Sequence, residues 1–134
     1  MTDLQTAKNN LSGHTICLCK SGECLYSDSR GIAPIMSYID SGADLSGYSV
    51  ADKVVGKAAA LLFVKCGIKS VFAKTLSENG KRILERYGIN CEYEVLTEKI
   101  INRAGTDICP MEKSVMCTDD PKQAYVILKN RLNP

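Results

Sequence analysis

The feature that most constrains this chain is the run Ala58-Ala59-Ala60-Leu61-Leu62-Phe63-Val64, apolar nearly all round a helix and stopped by Cys66-Gly67. A helix without a polar face must be covered on every side, so it belongs in the middle of a fold. The run is also far too short to cross a bilayer, which leaves a protein interior as its place. With 134 residues the chain is long enough to build that interior without disulfide staples. It is read as one domain over residues 1–134.

The residues before the run supply a start signal. Ser49-Val50-Ala51-Asp52 has the capping-box pattern, serine at the cap and an acid three positions on. The helix is therefore predicted to begin at Ser49 and to carry Asp52, Lys53, Gly56 and Lys57 in its first turns. Lys53 and Lys57, four apart, would share one face. Gly56 would let a backbone or ligand approach closely, at a cost of about 1 kcal/mol in helix propensity.

Other elements follow from turn and period signals. Asp3 to Leu11 is predicted as a short helix. His14 to Lys20 and Glu23 to Ser27 form a hairpin across Ser21-Gly22. Both hairpin faces are apolar, which suits an interior place in a sheet covered on both sides. Gly31 to Ser41 is helical, with Ile32, Ile35, Met36 and Ile39 at helical spacing. Lys69 to Thr75 and Cys91 to Leu96 are strands on either side of a capped helix from Ser77 to Tyr87. Thr97 to Ile108 is irregular, Pro110 opens a short helix with Cys109 as its cap, and Asp120-Pro121 opens the last helix. Alternating strands and helices of this length predict a three-layer α/β/α sandwich, with a mixed sheet and an N-terminal hairpin.

Composition excludes several functions. Seventeen basic and fifteen acidic residues leave a net charge of +2, which is no electrostatic footprint for nucleic acid or a membrane surface. Tryptophan is absent and aromatics are 6%, so a stacking platform for single strands is not expected either. Met1-Thr2-Asp3-Leu4-Gln5 lacks the basic region and apolar run of an export signal. Seven scattered cysteines are then read as free thiols in a reducing cytosol rather than a disulfide framework. Cys19 should face Cys24 across the hairpin turn, with Cys17 on the same side. That trio would suit a soft metal, yet the paired Cys-x-x-Cys knuckles of a zinc ribbon are missing, and buried thiols are the preferred reading. His14 is the sole histidine, so a Ser-His-Asp device would rest on it alone. No Walker, Rossmann or zinc-protease motif occurs, and no metal or cofactor is expected.

Two constellations carry candidate chemistry. The first is Asp52-Lys53-x-x-Gly56-Lys57, where two lysines at a helix start favour an anion. The second is Asn102-Arg103-x-Gly105 followed by Cys109-Pro110-Met111-Glu112-Lys113. A thiol at a helix start is activated, Glu112 falls where it completes a capping box or acts as an acid/base group, and Asn102 and Arg103 bring donors to an anion. The plain structural alternative is a capped helix after a polar loop, with lysines reaching into water.

The element order and the Cys-Pro turn resemble the cytidine deaminase-like fold. More closely, Ser49-Val50-Ala51-Asp52-Lys53-Val54-Val55-Gly56-Lys57-Ala58-Ala59 and Ile108-Cys109-Pro110-Met111-Glu112-Lys113 resemble DUF1893, a bacterial family of unknown function, from the hairpin to the last helix. Deaminases place His-x-Glu or Cys-x-Glu at one helix start and Pro-Cys-x-x-Cys at another, which hold zinc and activate its water. Set against that pattern, Val50 stands at a zinc-ligand position, Asp52 at the glutamate and Glu112 at the second cysteine. The resemblance thus implies the deaminase-type pocket without ordinary zinc-dependent deamination.

The chain is accordingly expected to bind an anionic or nucleotide-like small molecule where two helix N-termini meet. Lys53, Gly56, Lys57, Asn102, Arg103 and Lys113 would bind it. If a reaction occurs, Cys109 is the nucleophile and Asp52 or Glu112 the acid/base group. The alternatives are a non-catalytic ligand-binding or regulatory domain, a structural interaction module, and an unusual metal set of Asp52, Cys109 and Glu112. A cytoplasmic location and a candidate homodimer complete the expectations.

Overall fold

Sheet formation begins at the hairpin. In the computed structural model, which describes residues 1–133, β1 (Ile16–Lys20) turns back into β2 (Glu23–Ser27) with Cys19 opposite Cys24. Ser21 and Gly22 both take positive φ, 50° and 85°, the backbone that a two-residue turn between right-twisted strands requires. On the other side of β1 lies β3 (Ser49–Val55), antiparallel to it, followed by β4 (Ser70–Ser77) and β5 (Asn90–Thr97) in parallel. The order is β2-β1-β3-β4-β5, a mixed sheet with parallel late strands as expected.

Among the described residues six helices cover it: α1 (Asp3–Asn9), α2 (Ala33–Asp40), α3 (Lys57–Cys66), α4 (Glu78–Arg86), α5 (Pro110–Ser114) and α6 (Pro121–Leu132). The all-apolar run is in α3. Its residues Ala58 to Phe63 are buried against Val50, Val55, Val71 and Leu76 of the sheet, Ile83 and Leu84 of α4, and Leu128 of α6. Each large side chain buried there contributes about 1.5–3 kcal/mol. Among the described residues α1 alone covers the opposite sheet face, where Leu4 and Ala7, with Leu11 beyond, pack on Cys17, Cys19, Ala51 and Phe72. The result is an α/β/α sandwich with one thick and one thin helical layer. No helix among the described residues is long and apolar enough to cross a membrane.

The structure corrects the predicted helix start. Ser49 to Val55 is the central strand, not the first turns of α3, and Ser49 uses its hydroxyl to bond Ser70 at 2.7 Å instead of capping a helix. The reason is the β-branched Val50, Val54 and Val55 and a place between β1 and β4, where strand pairing outweighs a local capping signal. Gly56 is consequently the N-cap of α3 rather than a mid-helix residue. Lys53 and Lys57 are on different elements and share no helix face. The hairpin is also only half interior: β1 is buried, whereas β2 is a sheet edge with Tyr26 44% exposed. Finally, Cys19 and Cys24 form a disulfide, against the reading of free thiols, because direct cross-strand pairing sets their Cα atoms 4.2 Å apart.

Candidate functional site

At the carboxyl end of β3 the sheet changes character, with antiparallel β1 on one side and parallel β4 on the other. A cavity of about 400 Å³ opens there, walled by the starts of α3 and α5 and by the segment entering α2. Of the predicted site residues it brings together Asp52, Lys53, Gly56, Arg103, Cys109 and Glu112. Lys57, Asn102 and Lys113 are not among its lining.

Asp52 is the buried acid of this cavity, 8% exposed, set between Ile16 of β1 and Ala73 of β4. Burial pushes its carboxyl up to about 7, opposed in part by the amide N–H groups of Val54 and Lys53. Arg103 and Arg30, both exposed, line the same cavity. Among the described residues neither guanidinium forms an ion pair, nor does Lys53. Three cations without carboxylate partners among the described residues thus line the cavity that holds a buried acid. Arg30 escaped sequence reasoning. The available signal was its place between the hairpin and the next helix, since that junction falls at the same sheet end as the end of β3.

Glu112 is differently employed. It does not complete a capping box on its own helix. Its two oxygens accept from Lys57 N and Ala58 N of α3, both at 2.7 Å, so a residue of α5 caps α3 across space. Burial raises its carboxyl, while those two N–H groups and the Lys57 ammonium favour the charged form. A Cβ at Gly56 would lie 2.2 Å from Glu112 Oε1, so only glycine leaves room for this cap. Gly80 permits a further close approach, its missing Cβ falling 3.0 Å from the Gly56 carbonyl carbon.

Lys57 turns away into an ion pair. Its Nζ lies 2.9 Å from Asp119 Oδ1 and donates to the Met116 carbonyl at 3.1 Å, with the residue only 5% exposed. Arg82 and Arg86 also reach Asp119, each at 2.9 Å. The hydrogen bond from Arg82, then that from Lys57, holds the Asp119 carboxyl far below the usual carboxylate range. Asn102 braces its own loop, accepting from Thr106 N at 3.1 Å, and Lys113 pairs with Asp107 at the surface. Cys109 is the half-buried N-cap of α5 and lines the cavity.

These donors do not fit a zinc ion. The residues at the start of α3 are Val55, Gly56 and Lys57, rather than Val50, Ala51 and Asp52, and they supply no zinc ligand beside Cys109. Both Glu112 oxygens are taken by backbone N–H groups. Asp52, Cys109 and Glu112 do not converge as a metal set either. Among the described residues the ligand atoms that lie within 4.8 Å of one another belong to Cys17, Cys19 and Cys24.

One solved structure shares this architecture over nearly the whole chain. The chain is similar to a DUF1893 family protein from Thermotoga maritima, with a TM-score of 0.88 and 25% identity, over 98% of this chain and 91% of that one. It is also similar to dCMP deaminase from the cyanophage S-TIM5, with a TM-score of 0.47 and 14% identity over 67% of this chain and 92% of that one. A diaminohydroxyphosphoribosylaminopyrimidine deaminase/5-amino-6-(5-phosphoribosylamino)uracil reductase from Thermotoga maritima matches with a TM-score of 0.46 and 20% identity, over 69% of this chain and 34% of that one. No curated protein matches in sequence. The sequence profile of the domain of unknown function DUF1893 matches residues 6–132, nearly the whole chain, and the chain therefore belongs to the DUF1893 family.

Proposed function

We propose that this domain binds a small molecule with an apolar, ring-like body and an acidic group, in the manner of a nucleotide. The observation that carries the reading is that a buried Asp52 and the cations Arg30, Arg103 and Lys53, which form no ion pair among the described residues, line one cavity of about 400 Å³. That volume suits a small ligand. The mostly apolar walls include Ile32, Ala58, Ala59 and Met111 and would take a ring. An acid whose carboxyl titrates near neutrality exchanges hydrogen bonds with a ring nitrogen in either direction. The arginines offer forked donors to a phosphate or carboxylate.

Lys57 and Glu112, expected at the ligand, are already engaged by Asp119 and by the start of α3. That favours a binding domain over a catalytic one and leaves Asp52 and Cys109 as the groups a reaction would use.

Thermal unfolding against nucleosides, nucleoside monophosphates and inorganic phosphate tests the reading. Ligand at a hundredfold its dissociation constant should stabilise by about 2.7 kcal/mol. The Arg30→Ala/Arg103→Ala variant should bind at least tenfold more weakly, since one hydrogen bond to a charged group contributes about 1.5–3 kcal/mol. Cys109→Ala should keep the affinity. A panel in which nothing shifts the wild type, or a shift that survives loss of both arginines, would overturn the reading.

A further inference from the structure

On the opposite sheet face, away from the cavity, three cysteine sulfurs meet. Cys17 and Cys19 are two apart on β1 and so point to one face, and Cys24 of β2 stands directly across from Cys19. Their Sγ atoms lie within 4.8 Å of one another, with the Cys17 thiol 3.6 Å from Cys19. Cys17 and Cys19 are fully buried, and the surroundings are apolar: Leu4 and Ala7 of α1, Leu11, Ala51 and Phe72. Cys24 is half-buried on the edge strand, which gives the cluster one side near solvent. The chain is joined as Cys19–Cys24, with Cys17 free beside the bridge.

We infer that Cys17, Cys19 and Cys24 form a redox-gated site for a soft monovalent cation of the copper(I) class. The donor set is all sulfur, and thiolates select copper(I) over hard ions, which prefer oxygen. Three sulfurs on one face, with no carboxylate or imidazole among them, match the low coordination number of a d10 ion. The disulfide is the closed state, because a bridged sulfur is no thiolate. Opening it takes a dithiol reductant: the reductant gives two electrons and two protons, the S–S bond breaks, Cys19 and Cys24 become thiols, and the reductant leaves as its own disulfide. The cation then binds as each coordinating thiol passes its proton to solvent. The apolar cover of α1 keeps water and competing oxygen donors away. The half-buried Cys24 places part of the added negative charge against solvent.

The test uses the full-length chain, anaerobically, with copper(I) offered as the complex of a chromophoric chelator. The fully reduced protein should withdraw one equivalent through this trio, and the disulfide form should leave that equivalent with the chelator. Cys17→Ala and Cys24→Ala should each weaken binding by at least about tenfold, the least seen when even an outer partner of a metal ligand is removed. Cys109→Ser/Cys117→Ser should bind as the wild type does. Alkylation of the wild type gives a readout independent of whether a variant folds: copper(I) should slow modification of Cys24 and leave Cys117 reactive. Equal binding by the disulfide form, unchanged affinity in folded Cys17→Ala or Cys24→Ala, loss of binding in Cys109→Ser/Cys117→Ser, or unprotected Cys24 would each overturn the proposal.

Discussion

Asp52 and Glu112 line the same cavity, and burial raises both carboxyls. Their partners differ. Glu112 has two backbone N–H groups at 2.7 Å and the Lys57 ammonium in its field, at a helix start that already favours negative charge. Asp52 has only the amides of its own strand, with no ammonium or guanidinium among the groups that set its carboxyl. Two acids at one cavity thus take separate parts. One holds two helices together, and the other stands in the cavity wall with its carboxyl raised to about 7 by burial.

If Glu112 is a structural cap, its removal should produce the largest loss among changes at this cavity. Glu112→Ala would leave the buried Lys57 and Ala58 N–H groups without their charged acceptor. The expected cost is about 3–6 kcal/mol, from two hydrogen bonds to a charged group at about 1.5–3 kcal/mol each. Urea unfolding reads this directly, and a loss under about 1 kcal/mol would show that water replaces the cap. The assignment is sharpened through Gly56. Gly56→Ala alone should destabilise by about 1–3 kcal/mol through overpacking against the carboxylate. Combined with Glu112→Ala, the clash is gone, so the double variant should be clearly less unstable than the sum.

The ion pair beside this cap ranks next. Asp119→Ala would strand the buried Lys57 ammonium with only the Met116 carbonyl, at a cost of about 3 kcal/mol, near the low end for breaking a buried pair because Asp119 is partly exposed. Lys57→Met removes the charge with its partner's need and should cost less, since Arg82 and Arg86 still hold Asp119. A Lys57→Met variant less stable than Asp119→Ala would mean that the lysine stem, not the charge, carries the contact.

The sequence was most legible where local chemistry and tertiary place agree. Ser77 caps α4 by accepting from Gly80 N, Asp120 caps α6, and the Ala58–Phe63 run is buried as its composition demands. It was least legible at Ser49–Val55, where a genuine capping-box pattern lies in a strand whose partners, β1 and β4, are remote in the chain. The same holds at the site. Cys109, Glu112, Asp52 and Arg103 are found together at the cavity, but the employment of Glu112 by α3, 54 and 55 residues away, has no local signature. Arg30 and Asp119 were missed for that reason too: each acquires its role through a neighbour distant in sequence.

Acid and base titration separates the two carboxylates with the smallest expected effect. The folded Asp52 carboxyl, near 7, keeps a proton that the unfolded chain releases near its ordinary 3.8. Its contribution is therefore fully present below about pH 4 and declines as pH rises toward 7. Each pH unit inside that window removes at most about 1.4 kcal/mol, so the step from about pH 5 to pH 7 should cost about 2–3 kcal/mol. Glu112 is raised as well and slopes the same way, whereas Asp119, held low, loses stability only as pH falls below the ordinary carboxylate range. The comparison is thus the wild type against Asp52→Asn, with urea midpoints measured from pH 5 to pH 8. Asparagine cannot ionise, so the variant should lose the Asp52 part of the slope and become the more stable protein at pH 8. Parallel curves would place the proton on Glu112 instead, and would mean that water entering through the mouth of the cavity keeps Asp52 charged.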